Sequence, residues 1–144
     1  MMNHIENLSL IVTKKIEAPI EKVFDAWLDP AILCKFMLPK SGMPCPAVKL
    51  DPSVGGRFQI DMDVGEKIIP HTGEYLEIDR PARLVFSWES PFSAPNSQVT
   101  IDFKSVEDSI TEISLKHIRF LNEESRDNHH GGWINILEQQ AAIM

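Results

Sequence analysis

The sequence predicts an α+β domain: an antiparallel sheet of six to seven strands wrapped around a long C-terminal helix, with two short helices after the first strand. Three observations carry that prediction. Period-two alternation of apolar and polar residues fills most of the chain between Ala47 and Phe120, the signature of strands with one wet face. The chain then closes on a helical stripe, in which Trp133, Ile136, Leu137, Gln140 and Ala141 recur at three- and four-residue steps. Within that helix, Gly131 and Gly132 precede the tryptophan, and each glycine weakens a helix interior by about 0.8–1 kcal/mol relative to alanine. A helix that keeps them needs a backbone approached closely, or space beside it. A cavity between sheet and helix is therefore expected.

The elements follow in order. Leu8 to Glu17 reads as a strand, with Leu8, Leu10, Val12 and Ile16 on one face and Lys14 interrupting it. Ala18-Pro19 opens a helix, proline being tolerated at the first position, and Ile20, Val23, Phe24 and Trp27 form its apolar stripe. Asp29-Pro30 ends that helix and caps a second, running to about Phe36. A loop from Pro39 to Pro46 leads into the strands. Phe58, Ile60 and Met62 define one inward face, and Leu76 and Ile78 continue it after a turn at Gly65. Arg80-Pro81-Ala82 turns the chain, and Leu84, Phe86 and Trp88 point inward next. Val99, Ile101 and Phe103 follow, then Ile113, Leu115 and His117. Asn122 caps the last helix, and Glu123 and Glu124 occupy its first turn, where the dipole favours acids. Short turns between consecutive strands make the sheet antiparallel.

With 144 residues the chain fits one domain, residues 8–144, after a flexible N-terminus of residues 1–7. Twenty-one acidic against fourteen basic side chains leave a formal charge of −7, which argues against nucleic-acid binding through a phosphate backbone. No run reaches the roughly 18 apolar residues of a membrane span. The first residues lack the order of a secretory signal, so a cytoplasmic location is expected. Cys34 and Cys45 read as two reduced structural thiols.

Certain phrases fall in an order that resembles the START-like (SRPBCC) superfamily. They are Ile16-Glu17-Ala18-Pro19 leading into Val23-Phe24-Asp25-Ala26-Trp27, Asp29-Pro30, Gly55-Gly56-Arg57-Phe58, Gly73-Glu74-Tyr75-Leu76-Glu77-Ile78, Leu84-Val85-Phe86-Ser87-Trp88, Leu115-Lys116-His117 and Gly132-Trp133. Within it, the chain is most similar to the group related to the C-terminal domain of the activator of Hsp90 ATPase. The resemblance runs from about Leu8 to the end. It implies the helix-grip fold, a curved antiparallel sheet around the C-terminal helix. Phe36 stands where the family often has tryptophan, and the final helix stops soon after Gln140, so one end of a cavity is expected to be less covered. The family spans lipid and polyketide binders, a few enzymes and chaperone partners, and fold alone does not choose among them.

The candidate ligand-binding wall is Phe58, Ile60, Met62, Phe86, Trp88, Phe103, Trp133, Ile136 and Leu137, with His117, His71 or Glu74 as polar anchors. Small-ligand sites have this make-up, mostly apolar with a few placed polar groups. The plainer reading of the same residues is a solid core. His117 ends an apolar inward face and suits a hydrogen bond to a ligand, or proton transfer near neutral pH. The plainer alternative is an imidazole satisfied by its neighbours. Only one of Glu74 and Tyr75 can look inward, because consecutive strand residues face opposite ways. An inward Glu74 would be a proton-transfer candidate.

His129-His130 does not suit a metal, since adjacent helical residues point about 100° apart, and no zinc spacing occurs. Both read as partially exposed helix histidines. No metal or organic cofactor is implied. The function expected is binding of a small hydrophobic or amphipathic molecule. A protein-interaction module of co-chaperone type is the first alternative. A cyclase or hydrolase acting on a bound carbonyl compound is the second, and it requires two converging polar groups that the alternation does not reveal.

Overall fold

The computed structural model describes residues 8–40 and 42–144. The segment expected to be a flexible N-terminus, residues 1–7, lies outside them. The architecture is the expected one. Strands β1 (Ser9–Ile16), β2 (Ala47–Leu50), β3 (Arg57–Asp63), β4 (Ile68–Asp79), β5 (Arg83–Ser87), β6 (Gln98–Glu107) and β7 (Ile110–Ile118) form a seven-stranded sheet ordered β1-β7-β6-β5-β4-β3-β2. Every neighbouring pair is antiparallel. Helices α1 (Ile20–Asp25) and α2 (Pro30–Phe36) lie between β1 and β2, joined by a 3-10 turn at Ala26–Leu28. The long α3 (Glu123–Ile143) closes the chain and packs along β1 and α2.

Local chemistry explains the boundaries. The carboxylate of Asp29 accepts from Ala31 N at 3.0 Å, and Pro30 takes the first helical position of α2, where its missing N–H is no loss. Asn122 caps α3 by accepting from Ser125 N at 2.8 Å. Pro19 is the N-cap of α1 rather than its first residue. Trp27 falls on the 3-10 turn beyond α1 and is buried all the same.

One strand departs from its expected pattern. Leu76 is exposed, at 43% of its surface, whereas Ile78 packs against the core. The pairing of β4 with β5 shifts register between Tyr75 and Glu77. A β-bulge there places two residues opposite one, so Tyr75 and Ile78 both reach the interior and Leu76 is turned out. A simple period of two cannot show such a slip.

The core lies between the concave face of the sheet and the helices. At its C-terminal half, α3 buries Ile136, Leu137 and Gln140. The Gln140 side chain explains its place on an apolar stripe: Oε1 accepts from Trp27 Nε1 at 3.1 Å, and Nε2 donates to Val23 O at 3.1 Å. Beside it Phe24 meets Phe103 edge-on at 5.0 Å, and Trp27 meets Phe36 at 5.1 Å.

Candidate ligand-binding cleft

A cleft of about 500 Å³ opens between the N-terminal half of α3 and the far end of strands β3 to β5. Its apolar floor is Met62, Trp88, Trp133 and Ile136; Pro39, Phe92 and Leu121 form apolar parts of its rim. His71, Ser90, Asn128 and His129 add polar groups. The Trp88 and Trp133 rings lie 5.1 Å apart, and His71 tilts against Trp88 at 5.2 Å.

The glycines of α3 explain part of this shape. A methyl group on Gly132 would come within 3.3 Å of Pro39 Cβ, while one on Gly131 would meet nothing within 4 Å. Gly132 is therefore where the loop after α2 approaches the helix, and it lines the cleft. Asn135 holds that loop by donating to Pro39 O at 2.7 Å. Across the sheet, Gly73 leaves room for the Phe58 ring and the Ser87 carbonyl, both of which a side chain would strike.

The expected wall residues divide into groups. Met62, His71, Trp88, Trp133 and Ile136 line the cleft. Phe58, Ile60 and Phe86 instead surround an internal void of about 10 Å³, room for at most one water. Phe103 packs on Phe24 in the closed core, and Leu137 is wholly buried. The expected wall residues thus gather only in part around a cleft at one end, because aromatic side chains fill the middle. Glu74 stands apart from the cleft lining. Gly73 and Tyr75 on either side of it are buried, so alternation sends the Glu74 side chain to the outer face, while its backbone N–H donates to Ser87 Oγ at 2.9 Å.

His117 lies behind the cleft. Its ring is fully buried and does not line the cleft, although Trp133 and His129, which do, pack against it. Trp133 Nε1 donates to Nδ1 at 3.0 Å, and Nε2 faces Ser97 Oγ at 2.6 Å. An indole N–H only donates, so Nδ1 holds a lone pair and Nε2–H donates to the serine. Both nitrogens are committed within the protein. Burial, with the neighbouring His129, pushes the His117 pKa down to about 2, and the ring is a neutral core bracket that orients Trp133.

Sequence reasoning missed His129 as a cleft residue. It stands four residues before Trp133, one turn back on the same stripe, and that spacing is the signal that could have found it. Its Nδ1 lies 2.7 Å from Ser125 O. His71 Nδ1 lies 3.1 Å from Ile69 O. Burial pushes both imidazoles below their ordinary value, and for His71 the proximity of His129 adds to the effect. The Trp88 indole differs from its two counterparts, because its Nε1–H is buried without a hydrogen-bond partner among the described residues. Such an orphan donor is uncommon. Those residues contain no cluster of three or more metal-ligating side chains, and no helix long and apolar enough to cross a membrane.

A curved sheet gripping a C-terminal helix, with a cleft at one end of the grip, defines a START-like (SRPBCC) domain. More closely, residues 17–144 match the family described as Activator of Hsp90 ATPase homolog 1-like protein, and the chain belongs to that family. A comparison with curated protein sequences gives no match. Solved structures agree on the fold. Protein CV1439 from Chromobacterium violaceum is 24% identical, with a TM-score of 0.78 over 95% of this chain and 96% of that one. PFC0360w from Plasmodium falciparum, described as an HSP90 activator, is 24% identical, with a TM-score of 0.76 over 94% and 95%. The AHSA1-like protein from Aeromonas hydrophila is 23% identical, with a TM-score of 0.78 over 94% and 90%.

Proposed function

We propose that this protein binds a small hydrophobic or amphipathic molecule in the cleft between α3 and strands β3 to β5. The observation that carries the reading is the cleft itself. Its volume of about 500 Å³ falls within the roughly 300–1,000 Å³ of small-molecule sites, and its apolar floor with a few polar groups is their usual composition. Binding would draw on removal of apolar ligand surface from water, about 25 cal/mol per Å² before the costs of association. Both cysteines are free, which fits a cytoplasmic setting.

Native mass spectrometry of protein purified from its host, followed by denaturing extraction, tests this. A stoichiometric apolar molecule is the expected result. Protein that is empty, and whose tryptophan fluorescence is unmoved by hydrophobic probes, would overturn the reading.

A second reading, a protein partner, is favoured by the exposure of Phe92 and Leu121 at the cleft rim and by the family's description. Capture of an ATPase that is abolished by Phe92→Ser and Leu121→Ser together, with the cleft still able to bind probes, would move the assignment to it.

A further inference from the structure

The polar groups of the cleft have a direction. His71 and His129 each turn Nδ1 towards a carbonyl of their own element, Ile69 O at 3.1 Å and Ser125 O at 2.7 Å. A carbonyl only accepts, so in each neutral ring the hydrogen is on Nδ1 and Nε2 carries a lone pair. Burial pushes both rings below their ordinary value, which keeps them neutral at physiological pH. Neither Nε2 is matched to a donor among the described residues, and neither is a sealed orphan. Both rings line the cleft, one from β4 and one from α3, and each carries an acceptor with no hydrogen bond among the described residues.

What the cleft lacks is as informative. Among the described residues no lysine or arginine lines it, and Glu124 is its one carboxylate. Lys67 lies over the Phe92 ring at 5.9 Å, outside the lining. An anionic ligand would lose its water here without gaining a cation. A ligand with only acceptors would leave both imidazole lone pairs dry and unmatched.

Resting on the binding reading above, we propose that the cleft selects an uncharged ring compound bearing a hydroxyl group, a phenol or alcohol. Its O–H donates to Nε2 of His71 or His129 while its ring lies against Trp88 and Trp133. Carboxylates of the same size and shape are rejected.

The test is a matched series near neutral pH: β-naphthol, its methyl ether and β-naphthoate. Binding is followed by NMR through the indole N–H signals of Trp88 and Trp133. All three share one apolar body, and only the naphthol combines neutrality with a donor. The naphthol should bind about fivefold tighter than the ether, the scale of one net hydrogen bond, and tighter still than the naphthoate. His71→Leu or His129→Leu, whichever removes the accepting nitrogen, should bring the ratio of naphthol to ether to about one. Affinity for the ether should persist in that variant and show that the cleft is still formed.

Equal binding of ether and naphthol to the unaltered protein would overturn the hydroxyl preference and leave the binding reading standing. So would a preference for the naphthoate, or a naphthol preference that survives both substitutions. Failure of all three compounds to move either indole signal would overturn the binding reading itself, and this inference with it.

Discussion

The two halves of α3 face interiors of opposite kind. Around Gln140 the space between helix and sheet is closed: the Trp27 indole and the Val23 carbonyl are both matched by one buried amide, and Phe24, Phe36 and Phe103 fill the rest. Two to three turns earlier, about 10–16 Å along the axis, Trp133 and His129 face an open cleft whose other wall includes Trp88, with its unmatched N–H. The closed half has polar groups that complete one another. The open half has polar groups left over. The unmatched imidazole acceptors of the cleft mark where something from outside is expected to fit, whereas the Trp88 N–H is sealed within the cleft wall.

The largest effect should come from breaking the closed half. Gln140→Ala leaves the Trp27 N–H and the Val23 carbonyl buried and unpaired and opens a cavity, so a loss of about 3 kcal/mol is expected in urea unfolding. The same experiment on Asn128, a polar residue of the cleft, should change stability by less than about 0.5 kcal/mol after substitution by alanine. Comparable losses at both positions would erase the distinction between the halves.

Acid should then weaken the fold through its buried imidazoles. His71, His117 and His129 all have pKa values lowered by burial, His117 to about 2, from an ordinary 6.5. A group depressed in the folded state contributes stability that is present above the unfolded value and is lost as pH falls. Below pH 6.5 the unfolded chain takes up protons that buried His117 refuses, so this ring alone should remove up to about 1.4 kcal/mol of stability for each further pH unit. Urea midpoints followed from neutral pH into the acid range should therefore fall, and His117→Gln should flatten that fall. A pH dependence untouched by the substitution would remove His117 from the account.

Most of this architecture could be read before any coordinates. Strand faces follow from alternation, α2 from Asp29-Pro30, and α3 from Asn122 and a stripe that already included Gln140. The candidate site was legible only in part, for physical reasons. Alternation says that Phe58, Ile60, Phe86 and Trp88 face inward, but only packing decides which of them meet one another and which meet a void. Leu76 is turned out by a bulge that depends on pairing with β5. His117 is consumed by Ser97 and Trp133, partners 20 and 16 residues away. His129 was hidden by its neighbour: the pair His129-His130 reads as two partially exposed residues until the helical phase set by Trp133 is applied to each separately.

A single substitution made in both halves sharpens the comparison at smaller scale. Trp27→Phe deletes a matched donor and leaves Gln140 Oε1 buried without its partner. Trp88→Phe deletes a donor that had no partner. The loss of ring volume is common to both, so the difference isolates the hydrogen bond, and Trp27→Phe should be the more destabilising by about 1–2 kcal/mol. Equal thermal midpoints would mean that the Trp88 N–H is satisfied in solution and that the contrast between the two indoles is not energetic.

The smallest effect should be a gain. Gly131 and Gly132 are adjacent on α3, yet only Gly132 faces an obstacle, the Pro39 side chain. Gly131→Ala adds a methyl group to open space at a helical position, so it should stabilise the protein by up to about 1 kcal/mol through helix propensity alone. Gly132→Ala receives the same propensity gain but must push against Pro39, whose carbonyl is fixed by Asn135, so its net gain should be smaller and its cleft narrower. Probe affinity separates the two, since Gly132 lines the cleft and Gly131 does not. A cleft that binds hydrophobic probes equally well in both variants would show that the closeness of Pro39 to α3 does not set its shape.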